Sequence, residues 1–160
     1  MKVVPQSIWP VSVFGLGFLL LVIGLSGAAN IQETRHIHEQ ILAVEDNPEI
    51  RATVVRQLRD LGYRVHEAGN ANAALQILDG TERVDLLFTD MVLPGGLNGK
   101  ELALKARAKR ADLKVLFTSG FPGTSDRGEV SLEPNDVLLS KPYHKRELAK
   151  AIAEALHTPL

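Results

Sequence analysis

Five side chains stand where short apolar runs stop. ILAV leads into Glu45 and Asp46, VDLLFT into Asp90, KVLFT into Ser119, and DVLLS into Lys141, which Pro142 follows. Brought together, three carboxylates would repel one another unless a cation joined them. Carboxylate oxygens with water and a backbone carbonyl suit Mg2+, and the Lys141 ammonium would add a second positive charge. A carboxylate held beside Mg2+ and a lysine can attack phosphorus and become an acyl phosphate. The metal and Lys141 would neutralise charge on the transferring group, and the Ser119 hydroxyl would hydrogen-bond the product. Behind Asp90 the chain breaks into Pro94, Gly95, Gly96 and Gly99, a loop expected to let the backbone curl towards a metal. Other chemistries fall away. There is no cysteine, which removes thiolate catalysis, disulfides and cysteine zinc sites. A net charge of −1 without a basic run gives no footprint for nucleic acid. His36 and His38, the only close histidine pair, read as a polar segment rather than a metal site.

The elements that must position these groups are legible in the apolar pattern. ILAVED reads as a buried strand. Asn47 and Pro48 then cap a helix with Ile50, Val54, Leu58 and Leu61 at helical spacing, and Gly62 ends it. RVHEA is a brief strand, NANAALQILDG an amphipathic helix, and Val84–Asp90 a continuous apolar strand. GKELALKARAKRA is a helix with Leu102, Ala103 and Ala106 on one side. KVLFTSG and DVLLSKP are further strands, and KRELAKAIAEAL closes the chain as a helix. Strands alternating with helices, with strands apolar along their length, predict a parallel sheet covered on both faces. Right-handed crossovers put every strand's C-terminal end on one edge, where ligands of such sheets bind. That edge collects all five side chains.

With these residues in place, VEDN, FTDMVLP, LFTSG and LLSKP together resemble the four signature sites of the response-regulator receiver domain. The resemblance covers about Gln40 to Leu156. It implies a five-stranded doubly wound parallel sheet of order 2-1-3-4-5. It implies Glu45 and Asp46 as the acidic Mg2+ pocket, Asp90 as phosphoacceptor and the Val92 backbone carbonyl as a further ligand. Ser119 would be the switch hydroxyl and Lys141 the phosphate partner, with a cis bond to Pro142. The phosphodonor would be a histidine kinase or a histidine phosphotransfer protein, and the chain a signalling receiver rather than an enzyme. LPGGLNG, TSGFPG and LLSKPY look most like receivers at the C-terminus of hybrid sensor histidine kinases. Two departures stand out. Leu138 occupies the position of the family's aromatic switch residue, and Phe121–Asp136 holds Gly, Pro and Asp where a fourth helix is expected, predicting a short or irregular one. A different class, an Mg2+-dependent phosphatase with an aspartate nucleophile, usually needs an acid two residues after that nucleophile; here stands Val92.

Residues 1–39 differ sharply from 40–160. Val3 to Gln32 carries no charge, and Ile8–Ala29 as a helix would measure about 33 Å, enough for a bilayer core of about 30 Å. Trp9 suits a headgroup region. Lys2, the leucine run and Ser26-Gly27-Ala28 also fit a cleaved secretory signal. The anchor reading gives a single-pass inner-membrane protein with its receiver in the cytoplasm, although Lys2 against a lone Arg35 leans towards an internal N-terminus. A shortened hybrid kinase, left without function, would give the same juxtaposition. Only HTPL follows the last helix, so no DNA-binding or enzymatic output domain is expected.

Overall fold

The computed structural model describes residues 39–80, 82–120 and 132–157. The expected membrane segment Ile8–Ala29 and the pair His36 and His38 lie outside them, as do residues 121–131 of the expected irregular helix. Among the described residues no helix is long and apolar enough to cross a membrane.

Five parallel strands, β1 (Gln40–Val44), β2 (Arg64–Ala68), β3 (Leu86–Asp90), β4 (Lys114–Ser119) and β5 (Val137–Ser140), form one sheet in the order 2-1-3-4-5. The helices are α1 (Pro48–Asp60), α2 (Ala71–Asp79), α3 (Gly99–Lys109) and α4 (Lys145–His157). Two cores form because strand side chains alternate between faces. Leu42, Val44, Leu87, Val115 and Phe117 pack under α2 and α3, while Ile41, Ala43, Leu86, Phe88 and Leu116 pack under α1 and α4. Burial on both faces is why the central strands are apolar throughout.

Local chemistry sets the ends. Asn47 accepts the Glu49 and Ile50 amides with Pro48 in the first turn, satisfying donors a helix start leaves over. Gly62 and Tyr63 donate back to Arg59 and Leu58 to close α1. Asn98 and Glu101 form a reciprocal capping box at α3. Two expectations shift. Ile50, placed on the apolar face of α1, is 43% exposed. Val84 and Asp85 precede β3, although Val84 is buried and the Asp85 amide donates to the Gln40 carbonyl at 2.8 Å. Before β5, residues 133–136 form a turn: the Glu133 amide donates to Asp136 Oδ2 at 3.0 Å, and the Asp136 amide to the Glu133 carbonyl at 2.9 Å.

Candidate functional site

The carboxyl edge of the sheet is organised by one ammonium. Lys141 Nζ donates to Glu45 Oε2 at 2.9 Å and to Asp90 Oδ2 at 2.8 Å. The three side chains come from the ends of β1, β3 and β5, so only the assembled sheet brings them together. Glu45 shares the face of Ile41 and Ala43, and Asp90 that of Leu86 and Phe88. Glu45 is 4% exposed, and its other oxygen accepts the Asn47 amide at 3.3 Å. Asp90 Oδ1 accepts the Val92 amide at 3.4 Å. The β5 end is tied to β4 by the Lys141 amide, which donates to the Ser119 carbonyl at 2.7 Å. The Lys141–Pro142 bond is cis, as the resemblance implied. Burial pulls the Lys141 pKa down, but the hydrogen bonds and charges of Asp90 and Glu45 outweigh it and leave it raised.

The expected convergence of three carboxylates is corrected. Glu45 and Asp90 meet on Lys141, whereas Asp46 is exposed. Asp46 lies in the bend beyond the end of β1, where its side chain meets solvent. Among the described residues no three carboxylate or imidazole groups gather closely enough to hold a metal by themselves. The donor chemistry still fits Mg2+. One cation already spans the Glu45 and Asp90 carboxylates, Asp46 adds a solvent-facing carboxylate, and Val92 is 74% exposed on the next loop. All are hard oxygen donors, and Mg2+ keeps several waters rather than demanding a full protein cage.

Ser119 is half-buried at the end of β4, one residue beyond Thr118, the register partner of Asp90. Leu138 pairs with Phe117 in register and is 42% exposed; it shares Phe117's face of the sheet, and an aliphatic side chain there can exchange no hydrogen bond with a hydroxyl. Two more residues make contacts that the sequence does not show. Thr118, which with Ser119 ends the KVLFTS run, is fully buried beside Asp90, and its hydroxyl has no hydrogen-bond partner among the described residues. Gly99, expected both to close the glycine loop and to begin the helix, opens α3 against β3. A Cβ there would stand 2.1 Å from the Asp90 carbonyl oxygen, closer than any real side chain permits, and its amide donates to the Met91 carbonyl at 3.0 Å. Gly95 and Gly96 do make the turn, with φ of 82° and 144°, values that other residues rarely adopt.

Comparison with known proteins points to one family. The model of the response regulator receiver domain matches residues 41–153. The chain is 34% identical over 118 residues to the response regulator receiver protein CpdR of Brucella abortus (strain 2308), covering 74% of this chain and 97% of that one. It is 33% identical over 118 residues to the sensor kinase CckA of the same strain, covering 72% of this chain and 12% of the kinase. The crystal structure of the receiver domain from the hybrid histidine kinase CckA superposes with a TM-score of 0.61 at 34% identity, covering 74% of this chain and 99% of that one. The response regulator TrrA of Thermotoga maritima, in complex with Mg(2+)-BeF, gives 0.62 at 28% identity, covering 74% and 99%.

Proposed function

Because this chain belongs to the response regulator receiver family, we propose that it is the phosphoryl-accepting module of a two-component phosphorelay, with Asp90 as the acceptor. The observation that carries the assignment to Asp90 is its pairing with Lys141 at 2.8 Å, opposite buried Glu45. The carboxylate is rigidly mounted at a strand end, partly open, and already aligned with a cation.

In the transfer, an Asp90 oxygen attacks phosphorus while the bond from phosphorus to the donor imidazole nitrogen breaks, its electron pair staying on the nitrogen. Lys141 follows the negative charge to a phosphoryl oxygen, and Ser119 donates a hydrogen bond to another. Glu45, Asp46, Asp90 and the Val92 carbonyl would hold Mg2+, which supplies charge neutralisation to the phosphoryl oxygens. The donor is a histidine kinase or histidine phosphotransfer protein. Its histidine-bearing helix has a surface to meet in the groove lined by Ile50, Val54, Lys141, Pro142 and Tyr143, beside the acceptor. The chain catalyses only its own phosphorylation and dephosphorylation.

We also assign the receiver to residues 40–160, tethered to the inner membrane through Ile8–Ala29 and facing the cytoplasm, where phosphohistidine donors are made. The uncharged stretch Val3–Gln32 supports the tether. A reporter fused after Leu160 tests it: a cytoplasm-folding fluorescent protein should shine, and activity from an export-dependent phosphatase would reject the placement. For the acceptor, incubation with acetyl phosphate and Mg2+ should give one acid-stable, base-labile phosphate that Asp90→Asn removes. Equal labelling of both forms would sink the assignment.

A further inference from the structure

Arg51 leaves the first turn of α1 but reaches back to the loop before it. Its Nη1 donates to the Glu45 carbonyl oxygen at 2.7 Å and to the Asp46 carbonyl oxygen at 3.3 Å. Its Nε lies 3.7 Å from Glu67 Oε2 on β2. Gly69 leaves room for the group: a Cβ there would stand 3.1 Å from Nη1 and 3.6 Å from the guanidinium carbon. The guanidinium thus touches no carboxylate of the site and acts on main-chain oxygens, anchored by an acid from the neighbouring strand.

The choice of those two oxygens has a geometric consequence. Each carbonyl is coplanar with the amide that follows it. The Glu45 carbonyl belongs to the peptide before the Asp46 Cα, and the Asp46 carbonyl to the peptide after it. Holding both planes fixes the Asp46 backbone dihedrals and therefore the direction of its Cα–Cβ bond, from which the carboxylate swings. Asp46 is exposed, so little else sets that direction. A planar guanidinium is permanently charged and presents a rigid fork of donors, which suits this task better than an ammonium.

We propose that Arg51 is the positioning residue of the acidic pair, aiming the Asp46 carboxylate and so setting affinity for a divalent cation at the edge of the sheet. This rests on the reading above that the pair binds Mg2+. The test is a calorimetric Mg2+ titration of the full chain, combined with hydrogen–deuterium exchange of the 45–47 loop without metal. Arg51→Ala should weaken Mg2+ about tenfold, as loss of a group orienting a metal ligand does. Arg51→Lys should recover part of the loss, and Glu67→Gln should show a smaller one. In an Asp46→Ala background, Arg51→Ala should change affinity by less than about twofold, since coupled residues are not additive. Parent-like affinity in Arg51→Ala, or an equal loss in the Asp46→Ala background, overturns the proposal. If the parent chain binds no Mg2+, the metal reading falls. Loop exchange then decides the clamp: faster exchange at 45–47 in Arg51→Ala and Arg51→Lys retains it, and parent-like exchange removes it.

Discussion

At the carboxyl edge of the sheet two carboxylates share one ammonium. At the amino edge Asp85 has partners to itself: Arg83 on Oδ1 at 2.7 Å, and the Gln40 amide on Oδ2 at 2.8 Å. The residue types are alike and the ratio is not. Both Asp85 oxygens accept a hydrogen bond, joining the starts of β1 and β3. Glu45, Asp46 and Asp90 remain short of positive charge, with Glu45 buried. A carboxylate kept from water without full compensation is costly. An edge that retains such a deficit is suited to receiving a cation, whereas one that closes its charges is built for stability alone.

Asp90→Asn should draw the contrast most sharply. Phosphate incorporation should vanish, yet the melting temperature should not fall, because Lys141 then serves Glu45 alone. A mutant that both keeps its label and melts lower would erase the difference between the edges. Next is Lys141→Ala, which strands buried Glu45. Urea unfolding should show a loss of about 3 kcal/mol, partly recovered by Mg2+; a loss below about 1 kcal/mol would mean the ammonium is not the organiser. At the other edge, Asp85→Ala should cost about 1–2 kcal/mol through the orphaned Gln40 amide. The Arg83 pair adds little, Arg83 being 63% exposed. Phosphate labelling should stay at the parental level, and a drop would show that the edges are coupled.

The subtlest test uses the two tyrosines, one near each edge. Burial pushes both phenols up to about 12, helped by Glu39 at Tyr63 and, at Tyr143, by Glu45 and Asp90 against an opposing Lys141. A raised folded pKa favours the protonated form. Its contribution to stability is therefore complete below the ordinary phenol value of 10.0 and is lost as pH climbs through about 12. Lys141, also raised from 10.5, has the same sign. Ultraviolet titration of the folded chain should find phenolate appearing only near the upper value. Lys141→Ala should move Tyr143 further up and leave Tyr63 in place; equal movement of both would point to general loosening.

The sheet was legible because burial on both faces writes itself as unbroken apolar runs, and Asn47, Pro48 and Gly62 punctuate α1 in the order helix ends require. Glu45, Asp90 and Lys141 were legible for the same reason: a charge closing such a run has one edge to occupy. What escaped depended on direction and contact rather than type. Adjacent acids looked like one cluster, yet Glu45 is buried against Lys141 while Asp46 meets solvent. Arg51 looked like an ordinary polar position on a helix, since nothing in its local spacing shows that it bends back to two carbonyls. Gly99 was legible as a helix start, but nothing in the sequence shows that its missing Cβ admits the Asp90 carbonyl.

Gly99 also decides how motion can leave the site. With its Cα pressed on the Asp90 carbonyl and its amide on Met91, α3 cannot slide without dragging the acceptor's own peptide. At the far end, Lys109 holds Asp79, and Arg110 grips the Leu78 and Gly80 carbonyls at 2.9 and 3.2 Å. Helix α3 is therefore tied at one end to the acceptor's own peptide and at the other to the end of α2. A displacement of the acceptor backbone should therefore reach the far end of α3, where a spectroscopic label near Lys109 would read it.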